Sequence, residues 1–314
     1  MSRRTAWARP ASRRSWRGPG SRPAILVVHG GRAERGARAS HFAHHRSVQD
    51  WAAGGEWSPP ADLEGWDPGS ASNPPGGAGN SAGALAVNLN AHGLPNDREP
   101  SFYEGLAADI RARYDPAGEP GWGDRESNYF VGMFLRLVRA IDVIAAQPEW
   151  DGRTLCVLGS SQGGAQAIAA AGLDARVSFF AAGVPAMCDH TGPLAEPPRR
   201  GGWPRVLELA GAGSEPSVES IAASLAAPAP EVVEAARYFD CVNFARSSTA
   251  PSAWSSSFVD MTCAPCTIYA AYNALRNGAK SMHHDPAAGH ENTYAASAAL
   301  QRAALDHFAA HGHK

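Results

Sequence analysis

A serine set between glycines is the first group in this chain that could do chemistry. Gly159-Ser160-Ser161-Gln162-Gly163 has the form G-x-S-x-G. An apolar segment precedes the motif and a segment of small residues follows it, which predicts a strand, a sharp turn and a helix. In such a turn, side chains two positions before and after the serine would clash, so glycines are needed there. The pattern indicates that Ser161 is a nucleophile for acyl transfer.

A serine hydroxyl is a poor nucleophile without a base, and the best-placed base is a histidine on the loop before the last predicted helix. His290 lies on that loop, in Ala288-Gly289-His290-Glu291. His283 and His284 are alternatives, but they lie on what reads as the preceding strand edge. We therefore predict that His290 accepts the proton of Ser161.

The base needs an acid that orients it, on a loop after a strand between the serine and the histidine. Asp260 in Phe258-Val259-Asp260 fits this place best, although the segment 253–257 before it is rich in serine where a buried strand would be apolar. Asp240 precedes a segment that reads as helical, and Asp285 is too close to His290 to come from a separate strand. The prediction is Asp260, with these two as rivals.

The oxyanion formed during acyl transfer requires two backbone N–H donors. Gln162 follows the nucleophile at the start of a predicted helix, and its N–H is the first candidate. The second donor usually comes from a loop after an early strand. An apolar run ends there in His29-Gly30-Gly31, which makes the Gly31 N–H the second candidate.

These residues need a scaffold, and the chain alternates between apolar runs and amphipathic segments. We predict strands over residues 23–31, 83–90, 154–158 and 176–182, and helices over 129–146, 162–171, 231–238, 267–275 and 293–310. Alternating strands and helices indicate an α/β fold with an open, mostly parallel sheet and helices on both faces.

Composition divides the chain into segments of different character. Residues 1–22 are rich in arginine and are predicted to be a disordered tail, and residues 23–314 to be one domain. Within that domain, 32–83 is irregular and of low complexity, either an insertion or a stretch that is not authentic coding sequence. Residues 185–229 are rich in proline, glycine and alanine and read as an excursion from the sheet.

The amino-acid composition and net charge exclude several classes of protein. The 314 residues carry a net charge of -2 with 18% charged residues, which is globular and unlike a basic nucleic-acid binder. No apolar stretch is long enough to span a membrane. Five cysteines suit a reduced compartment, so we expect a cytoplasmic protein. Export is the alternative, because Ser2-Arg3-Arg4 is similar to a twin-arginine signal, but no apolar region follows it.

Two groups of potential metal ligands do not fit a metal site. Cys263-Ala264-Pro265-Cys266 is a single C-x-x-C pair within the predicted acid loop, and no second pair accompanies it. His41, His44 and His45 cluster with His-x-x-His spacing in the irregular segment, but they lack a nearby third ligand. We expect no metal and no cofactor.

Several motifs together carry a family resemblance. From about Ala84 to His307 the chain resembles the acetyl xylan esterase / cephalosporin-C deacetylase family, carbohydrate esterase family 7. The matching segments are Gly159-Ser160-Ser161-Gln162-Gly163-Gly164-Ala165, Arg237-Tyr238-Phe239-Asp240, Val259-Asp260, Ala270-Ala271-Tyr272-Asn273 and Gly289-His290-Glu291.

The resemblance implies an α/β-hydrolase fold with an insertion near the active site at 185–229, and a ring-like homo-oligomer without metal. It implies removal of acetyl groups from sugars, with Ser161, Asp260 and His290 as serine, acid and histidine. One departure is clear: the family usually has Arg-Gly-Gln after an early strand, where this chain has Ala91-His92-Gly93-Leu94-Pro95.

Two other interpretations stay open. The first is another hydrolase on the same fold, either a peptidase or an enzyme like dienelactone hydrolase, because fold alone does not determine substrate. The second is a hydrolase-like protein that lacks activity, impaired by residues 32–83.

Overall fold

One parallel sheet organises the molecule. The computed structural model describes residues 22–31, 84–95, 100–116 and 120–311. Within them, six strands pair in the order β2-β1-β3-β4-β5-β6, and every pair is parallel. The strands are β1 Arg22–Val28, β2 Leu85–Leu89, β3 Trp150–Ser160, β4 Phe179–Gly183, β5 Ser252–Ser257 and β6 Lys280–Asp285.

Helices connect these strands. They are α1 Pro100–Tyr114, α2 Tyr129–Ala145, α3 Gln162–Leu173, α4 Val206–Leu209, α5 Val218–Ala226, α6 Pro230–Tyr238, α7 Cys241–Ser247, α8 Pro265–Ala274 and α9 Tyr294–His311. Two short 3₁₀ segments occur at Pro120–Gly123 and Gly192–Leu194. No helix in the described ranges is long and apolar enough to cross a membrane.

The two faces of the sheet bury separate sets of apolar side chains. Along β1, Leu26 and Val28 join the larger core, which α2, α3, α7 and α8 share, whereas Ile25 points to the other face. There Ile25 belongs to a smaller cluster with Leu300 and Phe308 of α9. This alternation follows from the two-residue repeat of a strand, and it confirms the predicted α/β sheet with helices on both faces.

The predicted elements correspond closely to the observed ones. β3 begins at Trp150 and is longer than predicted, while α2, α3, α6, α8 and α9 begin and end within about three residues of the predicted bounds. The region 185–229 holds only short helices. The predicted tail, apart from Arg22 in β1, and the irregular segment 32–83 lie outside the described residues.

The serine-rich segment before Asp260 forms a strand despite its polarity. All six residues of β5 are buried. Ser252 Oγ accepts a hydrogen bond from Trp254 Nε1 at 2.8 Å, and Ser255 Oγ donates to Asn292 Oδ1 at 2.8 Å. Buried hydroxyls are tolerated where such partners are present. Side-chain hydrogen bonds therefore replace apolar contacts at Ser252 and Ser255, whereas the buried Ser256 hydroxyl has no partner among the described residues.

The direction in which successive strands are added to the sheet reverses at β1. From β1 the chain moves to β2 on one side, and then to β3 on the other side of β1. Ligands of open parallel sheets bind at such a reversal, beyond the carboxyl ends of the strands. Residues 29–31 follow β1 and Ser161 follows β3. The predicted nucleophile, Ser161, and the predicted second oxyanion donor, Gly31, therefore lie just after two adjacent strands, at this reversal.

Candidate active site

Ser161 occupies a sharp turn between β3 and α3. Its φ of 59° and ψ of -122° place a non-glycine residue in an unfavourable backbone conformation. The turn is held by the Ser161 N–H, which donates to the Gly183 carbonyl at 2.8 Å, and by its carbonyl, which accepts from the Ala186 N–H at 3.0 Å. The strained turn lifts the side chain of Ser161 clear of the helix that follows.

The glycines of the motif allow β1, β3 and α3 to approach closely. A Cβ atom at Gly159 would lie 2.3 Å from the carbonyl oxygen of Gly163. One at Gly163 would lie 2.5 Å from the carbonyl oxygen of Val28. Both contacts are with backbone, which cannot rotate away. These close backbone contacts explain why the motif requires glycine at both positions.

We expect Gly163→Ala to destabilise the protein by about 3 kcal/mol or more, because its new methyl group overpacks against the backbone of β1. Urea unfolding of the purified variant measures this free energy. Gly105→Ala is the matched control, since a Cβ there meets nothing within 4 Å. Gly105 lies in α1, so its replacement should raise stability by roughly 0.5–1 kcal/mol. Equal stability of the two variants would contradict the packing argument.

Ser161, His290 and Asp260 form a continuous series of hydrogen bonds. Ser161 Oγ lies 2.9 Å from His290 Nε2, and His290 Nδ1 lies 2.7 Å from Asp260 Oδ2. The Asp260 side chain is fully buried, whereas 29% of the His290 side chain is exposed. With a proton on Nδ1 for the carboxylate, Nε2 is free to accept the proton of the serine hydroxyl. This geometry suits general-base activation of Ser161.

The carboxylate of Asp260 is held by its own loop. Oδ1 accepts the backbone N–H groups of Thr262 and Cys263, each at 2.8 Å. Oδ2 is left for the ring of His290. Backbone donors stabilise the ionised form of a carboxylate and fix its orientation. The loop after β5 therefore presents one oxygen of Asp260 in a defined direction.

The rival acids have other partners. The carboxylate of Asp240 accepts the backbone N–H groups of Asp189, His190 and Val242 at 2.7 to 2.9 Å. Asp285 accepts from Thr293 Oγ1 at 2.8 Å, and its other oxygen lies 3.2 Å from His283 Nε2. Neither carboxylate is paired with His290. Of the three candidate acids, only Asp260 lies within hydrogen-bond distance of His290, the predicted base.

The buried serines of β5 also anchor the loop that carries His290. Ser257 Oγ donates to the Glu291 carbonyl at 3.0 Å, and Ser255 Oγ bonds Asn292 at 2.8 Å. The amide of Asn292 in turn donates to Ser297 Oγ at 3.0 Å. The polar strand that leads to the acid thus also fixes the residues next to the base.

The two residues that carry the predicted oxyanion donors are neighbours in the structure. Gln162 is the first residue of α3, where the N–H groups have no acceptor within the helix. A Cβ atom at Gly31 would lie 3.6 Å from the side-chain amide of Gln162. The partial positive charge of the helix N-terminus favours an anion at this point. The placement is compatible with the predicted roles, which stay predictions.

Four residues near the loop 29–31 were not assigned a role from sequence. His29 and His92 follow the adjacent strands β1 and β2, with ring centres 5.5 Å apart. Tyr129 and Arg136 lie on α2, and Tyr129 Oη contacts Nδ1 of His92. The usable signal was a pair of histidines within three residues of the ends of two predicted strands.

Two of these residues, His92 and Tyr129, are uncharged at neutral pH. Burial lowers the pKa of His92 to about 3, assisted by His29 and by the positive charge of Arg136. Burial also raises the pKa of Tyr129 to about 12. At neutral pH His92 is therefore an uncharged imidazole and Tyr129 an intact phenol.

One cluster of potential metal ligands occurs in the part of the chain that the structure describes. Ligand atoms of Asp260, Cys263 and His290 lie within 4.8 Å of one another. Asp260 and His290 already bond each other, and burial raises the pKa of the Cys263 thiol well above its usual value. We interpret this cluster as part of the serine–histidine–aspartate series. All five cysteines are free thiols, and Cys266 is the exposed member of the C-x-x-C pair.

The family model described as acetyl xylan esterase (AXE1) matches residues 120–195 and 222–309, which include Ser161, Asp260 and His290. The acetyl esterase Axe7A of Xylanibacter ruminicola is 31% identical over 203 residues, which are 64% of this chain and 42% of that protein. The chain therefore spans about two fifths of the length of this curated relative.

Solved structures share the fold. An acetyl xylan esterase from Paenibacillus sp. R4 superposes with a TM-score of 0.58 at 25% identity, covering 93% of this chain and 77% of that chain. Acetyl xylan esterase 1 from a Thermoanaerobacterium species gives a TM-score of 0.54 at 20% identity, over 92% of this chain and 76% of that chain. The second likeness is evidence of the fold alone.

Proposed function

This chain belongs to the acetyl xylan esterase family, and on that premise we propose that it is a serine carboxylester hydrolase that removes acetyl groups from acetylated carbohydrate. The observation that carries the proposal is the hydrogen-bonded series from Ser161 through His290 to Asp260. This series lies beyond the carboxyl ends of the strands, where parallel sheets bind their ligands.

The first half of the proposed reaction forms an acyl-enzyme. Ser161 Oγ attacks the acetyl carbonyl while His290 Nε2 takes its proton, and Asp260 stabilises the imidazolium that results. The N–H groups of Gln162 and Gly31 stabilise the oxyanion. The tetrahedral intermediate collapses, and the sugar oxygen leaves with the proton from His290.

The second half releases the acid. His290 takes a proton from water, whose oxygen attacks the acetyl group on Ser161. Collapse of this second intermediate returns the proton to Ser161 and frees acetate. All the steps are proton transfers and acyl transfers, so the proposed reaction uses no metal and no cofactor.

Acetate release from acetylated xylo-oligosaccharides by the purified full chain tests the substrate class. We expect p-nitrophenyl acetate to be hydrolysed at least tenfold faster in kcat/KM than p-nitrophenyl octanoate, which corresponds to about 1.4 kcal/mol of preference for the short acyl chain. An aminoacyl p-nitroanilide, included as the peptidase substrate, should stay intact.

The outcomes separate the competing interpretations. Cleavage of the anilide in preference to acetate esters would identify a peptidase. Hydrolysis of p-nitrophenyl acetate without acetate release from any sugar would retain the serine esterase and remove the carbohydrate substrate. A folded protein inactive on every ester would support the impaired hydrolase-like protein instead.

The family resemblance also leads us to propose a homo-oligomer, and the cysteine content leads us to propose a cytoplasmic location. Sedimentation velocity of the purified chain would test the first, since a single species at 32.9 kDa would contradict it. Fractionation of the producing cells would test the second.

A further inference from the structure

Successive carbonyls of the loop after β1 face side-chain donors. The His29 carbonyl accepts from Gln166 Nε2 at 3.1 Å. The Gly30 carbonyl lies 2.7 Å from Nδ1 of His29. In a trans peptide the N–H points away from the C=O of the same plane. Each hydrogen bond therefore fixes the direction of the N–H in its own peptide plane, that of Gly30 for the His29 carbonyl and that of Gly31 for the Gly30 carbonyl.

The tautomer of His29 follows from its partners. The Ala91 N–H donates to His29 Nε2 at 3.0 Å, so that nitrogen carries no proton. The proton of the neutral ring is then on Nδ1, where it bonds the Gly30 carbonyl. His29 thereby ties the end of β2 to the loop after β1.

His92 Nδ1 lies in hydrogen-bond contact with Tyr129 Oη, and Tyr129 is a neutral phenol at neutral pH. When this phenol donates to Nδ1, the ring proton of His92 is on Nε2, the opposite tautomer to that of His29. Nε2 of His92 is buried and has no hydrogen-bond partner among the described residues. The backbone of Gly31 is near enough to this ring to favour its protonated form. A buried donor without a partner is costly, and such contacts often shorten when substrate binds.

We propose that His92, oriented by Tyr129, is a positioning residue that donates from Nε2 to the Gly31 carbonyl and so holds the oxyanion loop in its productive conformation. Arg136 supports this arrangement, since its Nε and Nη2 donate to the Ala91 carbonyl at 3.2 and 2.9 Å. The inference rests on the proposed esterase function, in which the Gly31 N–H stabilises the oxyanion.

Because His92 acts on the oxyanion donor and not on bound substrate, its loss should change kcat more than KM. We expect His92→Leu to lower kcat about 10- to 100-fold, less than complete loss of an oxyanion donor, with KM within about threefold. His92→Gln, whose amide can donate to the same carbonyl, should recover part of kcat. Tyr129→Phe should show a smaller decrease of the same kind.

His307→Gln is the matched control, because His307 is another buried histidine, packed on Phe179 and bonded to Ser178 at 3.0 Å on a different part of the sheet. It should keep kcat within about twofold. If His92→Gln is as inactive as His92→Leu, or if both raise KM alone, the positioning role is wrong.

Nitrogen-15 NMR of the histidine rings in the wild-type chain tests the inference without any substrate. We expect the Nε2–H form for His92 and the Nδ1–H form for His29. An Nδ1–H tautomer at His92 would overturn the inference even in an active enzyme. The expected tautomers in a protein that hydrolyses no ester would instead leave the loop arrangement standing and reject the proposed function.

Discussion

Ser161→Ala is expected to lower kcat for p-nitrophenyl acetate by about 10⁵- to 10⁶-fold, since the nucleophile itself is removed. The serine is held 2.9 Å from His290 by a strained turn, and no other hydroxyl has this contact among the described residues. Steady-state kinetics on the purified variant measures the loss, with a melting curve to show that the fold is unchanged.

Ser160→Ala is the matched control for this variant, because it removes the hydroxyl of the preceding residue and keeps that of Ser161, which is bonded to His290. It should stay within a few-fold of the wild type. A fluorophosphonate probe gives a second measurement, because it labels only an activated serine. We expect one label on Ser161 in the wild type and none in Ser161→Ala; labelling of another residue would assign the nucleophile elsewhere.

Asp260→Asn is expected to lower kcat by about 10⁴-fold while leaving the fold intact. The carbonyl oxygen of the new amide can still accept the N–H groups of Thr262 and Cys263. Its NH₂ group would then face His290 Nδ1 and require that nitrogen to accept. The ring proton moves to Nε2, which can no longer take the proton of Ser161.

Asp285→Asn provides the comparison, since Asp285 ends β6 and bonds Thr293 and His283. We expect its kcat within a few-fold of the wild type and its melting temperature slightly lowered. If Asp285→Asn lost as much activity as Asp260→Asn, or if Asp260→Asn kept a tenth of the wild-type rate, the assignment of the acid would fail.

Some residues of the site could be predicted from the sequence more securely than others. The turn at Ser161 was recognisable because its glycines, entering strand and leaving helix are contiguous in the chain. His290 was recognisable because it precedes the last helix. Asp260 was a choice among three acids, which only the positions of β5 and the loop after it resolved. The serine-rich strand gave no apolar signal, because its stability comes from hydrogen bonds to Asn292 and Glu291.

The sequence by itself determined the parallel α/β fold, the strained nucleophile turn and the candidates for base and acid, because each depends on local propensity or on residues close in the chain. Only the tertiary structure decided which acid meets His290, and it alone brought His29, His92 and Tyr129 together. Ala91 lies 62 residues from its partner His29, and Tyr129 lies 37 residues from its partner His92. No periodic pattern encodes such contacts, because they arise from the pairing of β1 with β2 and the packing of α2 against that edge.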